Sequence, residues 1–162
     1  MSRTMGARHQ RASLWLPLTT VATLLAGCDQ TTNAQETIPA DYRTLYQTAP
    51  LCAGLDWATL AAVGKIETDH GRSPLPGVHS GTNSAGAAGP MQFLAPTWRA
   101  VRKRHPDVGP DIYNPQAAIT AAAHKLCDDG AATGGTRKAL FAYNHSQKYV
   151  TQVLVQASGY RP

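Results

Sequence analysis

Glutamate is nearly absent from this sequence: Glu36 and Glu67 are the only two, and ten Asp+Glu face fifteen Lys+Arg. Any acid–base chemistry therefore has few carboxyls to draw on. Cysteine is scarce as well, with Cys28, Cys52 and Cys127 alone, and neither CxxC nor HExxH spacing occurs. The six His are scattered, so no zinc motif is recognisable, and neither a metal nor another cofactor is expected. No stretch alternates apolar and polar residues at a period of two, and no internal repeat is present, which leaves a single all-α domain with one core.

The only long apolar stretch, residues 13–27, follows a basic start at Arg3, Arg8 and Arg11 and is too short to span a bilayer with ease. Residues 1–27 read as an export signal. Leu25-Ala26-Gly27-Cys28 resembles a bacterial lipobox, which implies lipidation of Cys28; the alternative is ordinary cleavage nearby that leaves Cys28 a free or paired thiol. Removing the signal takes away three Lys+Arg and no acid, so the net charge drops from +5 to 12 − 10 = +2. The remaining basic cluster, Arg99, Arg102, Lys103 and Arg104, reads as a solvated helix face, and no nucleic-acid partner is expected. Cys52 and Cys127 are then an even pair in an exported chain, which favours a disulfide. Residues 28–39 are polar and aperiodic, a tether. The folded domain is expected over residues 40–160.

Within it, Asp56 to Gly71 reads as one helix with a carboxylate in an unusual place. Trp57, Leu60, Gly64, Glu67 and Gly71 recur at steps of three and four, so Glu67 falls on the packed stripe. Asp56 is suited to the N-cap and Gly71 to the position after the last turn. The negative end of the helix dipole and partial burial both push the Glu67 carboxyl toward keeping its proton. The plainer alternative is a Glu that reaches water or pairs with Lys65 or Arg72.

Elsewhere the pattern is helix and turn. Tyr42, Leu45 and Tyr46 give a short helix, and residues 70–89 a long Gly/Ser/Pro loop. Pro90-Met91-Gln92-Phe93-Leu94 suggests a short helical turn. Pro96 opens a helix to Arg104, and Asn114-Pro115 caps another that ends at Gly130. Thr136 and Ser146 cap two last helices, residues 137–143 and 147–157. Trp57 reads as core, while Trp98 is either core or a sugar-stacking platform.

Three segments, Gly64-Lys-Ile-Glu-Thr-Asp-His-Gly-Arg72, Gly86-Ala-Ala-Gly-Pro-Met-Gln-Phe93 and Ala142-Tyr-Asn144, together resemble the lysozyme-like domain of bacterial lytic transglycosylases of the Slt type. Thr68 and Pro90 depart from the usual Ser and Leu of that type, and Glu-Thr-x-x-Gly-Arg is more similar to the membrane-bound lytic transglycosylase B type. The resemblance implies an all-α lysozyme-like fold and cleavage of the N-acetylmuramic acid to N-acetylglucosamine bond of peptidoglycan. It also implies a catalytic Glu67, with Gln92, Tyr143, Met91 and Asn144 binding the glycan strand. With the lipobox it implies a monomer held by a lipid anchor on the extracytoplasmic face of the cell membrane. A hydrolytic muramidase on the same fold and a non-catalytic peptidoglycan-binding lipoprotein are the alternatives. Asp69, two residues on, faces away from Glu67, and Asp107 or Asp111 could be a second carboxylate only if their loop folds over the cleft.

Overall fold

A computed structural model describes residues 38–161. The signal, Cys28 and nearly all of the tether lie outside the described residues. In chain order the elements are α1 (Ala40–Thr48), α2 (Trp57–Thr68), β1 (Ala87–Ala88), β2 (Phe93–Leu94), α3 (Ala95–Arg104) and α4 (Pro115–Asp128). A 3-10 turn (Ala131–Thr133), α5 (Thr136–Asn144) and α6 (Gln147–Tyr160) complete the fold. The all-α expectation holds, with one correction. Residues 90–94 form no helical turn but close an antiparallel hairpin in which Ala87 faces Leu94 and Ala88 faces Phe93. Two residues per strand are too few for an alternating pattern to register in the sequence.

α2 is the axle. Residues 58–64 are buried without interruption, so the helix is enclosed on nearly every side instead of presenting one stripe. It packs chiefly against α6, and also against α1 and α4. Small residues allow that enclosure: a Cβ on Gly64 would lie 2.1 Å from the Tyr46 hydroxyl. Asp56 caps the N-terminus as its position suggests, accepting from the Thr59 amide at 2.7 Å. The C-terminus comes earlier than expected, because Asp69, His70 and Gly71 all have positive φ and turn the chain at Thr68.

The cause is His70, which the core draws in. Its imidazole is 1% exposed and lies between the Tyr46 hydroxyl, 3.0 Å from Nδ1, and the Tyr160 hydroxyl, 3.1 Å from Nε2. Burial, with Arg72 and Lys65 adding to it and Asp69 opposing, lowers the His70 pKa to about 4 and leaves the ring neutral. Asn114 and Ser146 cap α4 and α6 as read. Thr136 does not cap α5: its hydroxyl donates instead to Gly54 O at 2.6 Å, tying α5 to the segment before α2. Cys52 and Cys127 are joined, with Cα atoms 6.0 Å apart, and pin that same segment to the end of α4.

Candidate active site

Glu67 occupies the last turn of α2, where enclosure ends and a groove begins. On one side is a cleft of about 440 Å³ lined by Glu67, Ser73, Leu75, Val78, Asn83 and Gln92. A second, of about 340 Å³, is lined by Glu67, Asn83, Gln92, Leu94, Tyr143 and Asn144. Glu67, Asn83 and Gln92 belong to both, so the carboxyl stands where the two clefts meet. It is the sole carboxylate among the residues lining either one.

Burial raises the Glu67 pKa from 4.5 to about 7, and the Tyr149 hydroxyl, which donates to Oε1 at 2.7 Å, opposes the rise. Near neutrality the carboxyl is thus divided between a proton donor and a proton acceptor, the poise required of a group that acts in both senses. Lys65 and Arg72, its sequence-neighbour cations, both pair with Asp69 instead. No salt bridge neutralises Glu67 among the described residues.

The cleft wall is held by the turn between the two strands. The Thr68 hydroxyl donates to Pro90 O at 2.7 Å and accepts from the Gly71 amide at 2.9 Å, fastening the end of α2 to that turn. Gln92 has φ +49, a conformation uncommon for a residue with a side chain. Its amide is fixed at both ends: Nε2 donates to Gly89 O at 2.8 Å, and Oε1 accepts from Asn83 Nδ2 at 2.9 Å. One N–H and one lone pair of the Gln92 amide remain for a ligand. Asn83 Oδ1 in turn accepts from the amides of Ala85 and Ala87, which orders the tip of the long loop.

The other singled-out residues divide. Asn144 is exposed and lines the smaller cleft. Tyr143 lines it too, but its hydroxyl donates to Met91 O at 2.8 Å and does not reach Glu67. Met91 is 0% exposed, so its side chain belongs to the core and not to the groove wall. Trp98 is buried edge-on against Phe93, hence core, and Trp57 is half-buried against the same cluster. Asp111 takes the Tyr113 amide, and with Asp107 it lines a separate cavity of about 310 Å³ that excludes Glu67.

Two residues were missed in the sequence. Asn83 stands in a Gly/Ser-rich loop, where Asn commonly closes a turn on its own backbone, and that signal could have found it. Tyr149 gave no such sign, for it lies 82 positions from Glu67, beside the apolar stripe of α6. Its ring runs parallel to that of Tyr143, planes 2° apart and centroids 6.5 Å apart. Tyr149→Phe should cut turnover by about tenfold and move the alkaline limb of the pH–rate profile upward, because the lost donor favours the Glu67 anion. A pH profile with an unmoved limb would show that Tyr149 does not set the carboxyl's proton affinity.

No curated protein and no solved structure matches the chain. The sequence model of the Transglycosylase SLT domain matches residues 53–160, a span that takes in Glu67, Asn83, Gln92, Tyr143 and Tyr149. On that match the chain belongs to the SLT transglycosylase family, the lysozyme-like helical enzymes that act on peptidoglycan.

Proposed function

We propose that the protein is a peptidoglycan lytic transglycosylase in which Glu67 is the catalytic residue. The observation that carries this reading is one half-buried, proton-holding carboxyl at the junction of two clefts that no second carboxylate lines. Glu67 gives its proton to the glycosidic oxygen as the bond to C1 of N-acetylmuramic acid breaks. With no partner carboxylate, the cationic carbon takes support from the sugar's own acetamide oxygen, a substrate-assisted route. The Glu67 carboxylate then removes the proton of the C6 hydroxyl, whose oxygen bonds to C1 and closes a 1,6-anhydro ring. No water is consumed, and the intramolecular nucleophile enjoys a high effective concentration. Gln92, Tyr143 and Asn144 bind the glycan along the groove, while the buried Met91 only holds the Tyr143 hydroxyl through its carbonyl.

Mass analysis of digested peptidoglycan tests this. The products should end in 1,6-anhydro-N-acetylmuramic acid, each lighter by one water than a reducing-end product. Borohydride-reducible muramic ends as the main product would make the enzyme a muramidase, and intact glycan would make it a non-catalytic binder.

We further propose that the domain works as a monomer at the extracytoplasmic face of the membrane, anchored by a lipid on Cys28. The support is the basic-plus-apolar start followed directly by Leu25-Ala26-Gly27-Cys28. Membrane fractionation of Cys28→Ser should find the protein released, whereas continued retention would refute the anchor.

A further inference from the structure

A small chamber adjoins the second of the two clefts. It holds about 120 Å³, shares Gln92, Leu94, Tyr143 and His145 with that cleft, and adds Thr97 of α3 and Lys125 of α4 to them. It is too small for a sugar ring, yet it continues the groove in which Glu67 stands. A substituent carried by a sugar is what fits it.

The chamber is rich in hydrogen-bond donors, and no carboxylate lines it. Only 15% of the Lys125 side chain is exposed, although lysine is ordinarily a surface residue. Its ammonium donates to Asp129 Oδ2 at 2.6 Å and lies 5.6 Å from the centre of the Tyr143 ring. Asp129, the residue after α4, does not line the chamber, so it holds the ammonium from one side and leaves two of its three N–H bonds unengaged. The Thr97 hydroxyl and the His145 ring form no hydrogen bond among the described residues. His145 is placed by the left-handed end of α5, φ +56, where its amide donates to Phe141 O at 2.6 Å and its ring meets the Phe141 ring edge to face. Side chains from α3, α4 and the end of α5 thus bring unengaged donors to one small space beside the groove.

We propose that this chamber binds a carboxylate carried by a muramic residue of the glycan strand, with Lys125 and Thr97 as its donors and His145 beside them. The inference rests on the peptidoglycan reading above and gives that groove a way to recognise more than sugar. The sugars of such a strand present neutral hydroxyls and acetamides. Carboxylates enter through the lactyl group of muramic acid, which is free where the stem peptide has been removed and otherwise leads into the acidic groups of the stem. An ionised carboxylate only accepts hydrogen bonds, so it matches a wall of donors, and bonds to it from an ammonium are about twice as strong as neutral ones. Asn83 and Gln92 meet the neutral sugar, and the chamber reads its acidic substituent.

The test measures binding to the Glu67→Gln protein, which leaves the strands uncut. Calorimetry uses short glycan strands, stem-bearing and amidase-stripped, each with its carboxyls free and with them amidated. Free carboxyls should strengthen binding by about tenfold in at least one form, and that form names the source: stripped strands the lactyl carboxylate, stem-bearing strands a stem carboxylate. Lys125→Met, which keeps the aliphatic chain packed on Tyr143, should erase the preference and leave the binding of amidated strands within about twofold. Thr97→Val, a change of similar shape at a partly exposed position, should reduce the preference by about threefold. Equal binding of free and amidated strands, or a preference that survives both substitutions, would overturn the chamber's role and leave that of Glu67 standing. Strands bound in no form would refute the peptidoglycan reading, and this inference with it.

Discussion

Glu67→Gln should lower peptidoglycan cleavage by at least about 10³-fold and at the same time make the fold more stable above pH 7. The activity loss compounds two roles, since general acid–base catalysis contributes about 10² to 10⁴-fold and Gln neither donates nor accepts the proton. The stability gain follows from the raised pKa. In the folded protein Glu67 titrates near 7 against an ordinary 4.5, so the native state binds a proton that the unfolded chain has already lost over that interval. Its contribution to stability is therefore complete below about pH 4.5 and is lost as pH rises through 7. Gln keeps the volume and can still accept from Tyr149, yet has no charge to desolvate. Thermal unfolding at pH 5 should find the two proteins nearly equal, and at pH 8 the variant ahead by about 1–3 kcal/mol. Wild-type turnover should fall over the same range as the acid form disappears. Residual activity within about tenfold of wild type would assign the acid to another residue.

The parts of this site that were legible in the sequence are those set by local rules. Asp56, Asn114 and Ser146 act as caps because a short polar side chain before a helix reaches the amide three residues on. Glu67 stood out because a carboxyl on a packed stripe conflicts with burial, and such conflicts concentrate at functional positions. What stayed hidden depends on long-range packing. Tyr149 becomes the partner of Glu67 only because α6 lies along α2. His70 ends α2 one turn short of Gly71 because two tyrosines from opposite ends of the domain receive its imidazole. Gln92 turns out to be a strained strut whose amide is held once at each end, since a positive φ at Gln has no sequence signature comparable to that of glycine. The histidines that seemed scattered are not all apart: His105 and His124 stack across the α3–α4 turn with centroids 3.9 Å apart, a proximity that spacing along the chain does not encode.

Removing the Cys52–Cys127 bond should be the most destabilising change that leaves the site intact. The bond closes a loop of 75 residues that contains Glu67, the long loop and Gln92, while Tyr143 and Tyr149 lie beyond it. On the chain-entropy account such a closure stabilises by about 4 kcal/mol, nearly all of it through restriction of the unfolded chain. The native corner holds without the bond: the Thr136 hydroxyl reaches Gly54 O at 2.6 Å, and Gly54 packs so closely on Ala131 that a Cβ would come within 1.9 Å of its carbonyl oxygen. Both cysteines are only partly buried, so Cys52→Ala with Cys127→Ala removes little packing. The double variant should therefore unfold roughly 10–20 °C below wild type, yet turn over within about twofold of it at 25 °C. A Tm within about 2 °C of wild type would mean the unfolded chain is already restricted by other contacts. A large loss of turnover at 25 °C would instead mean that the bond shapes the native groove, and the hydrogen bond between Tyr149 and Glu67 would be the first contact to examine for displacement.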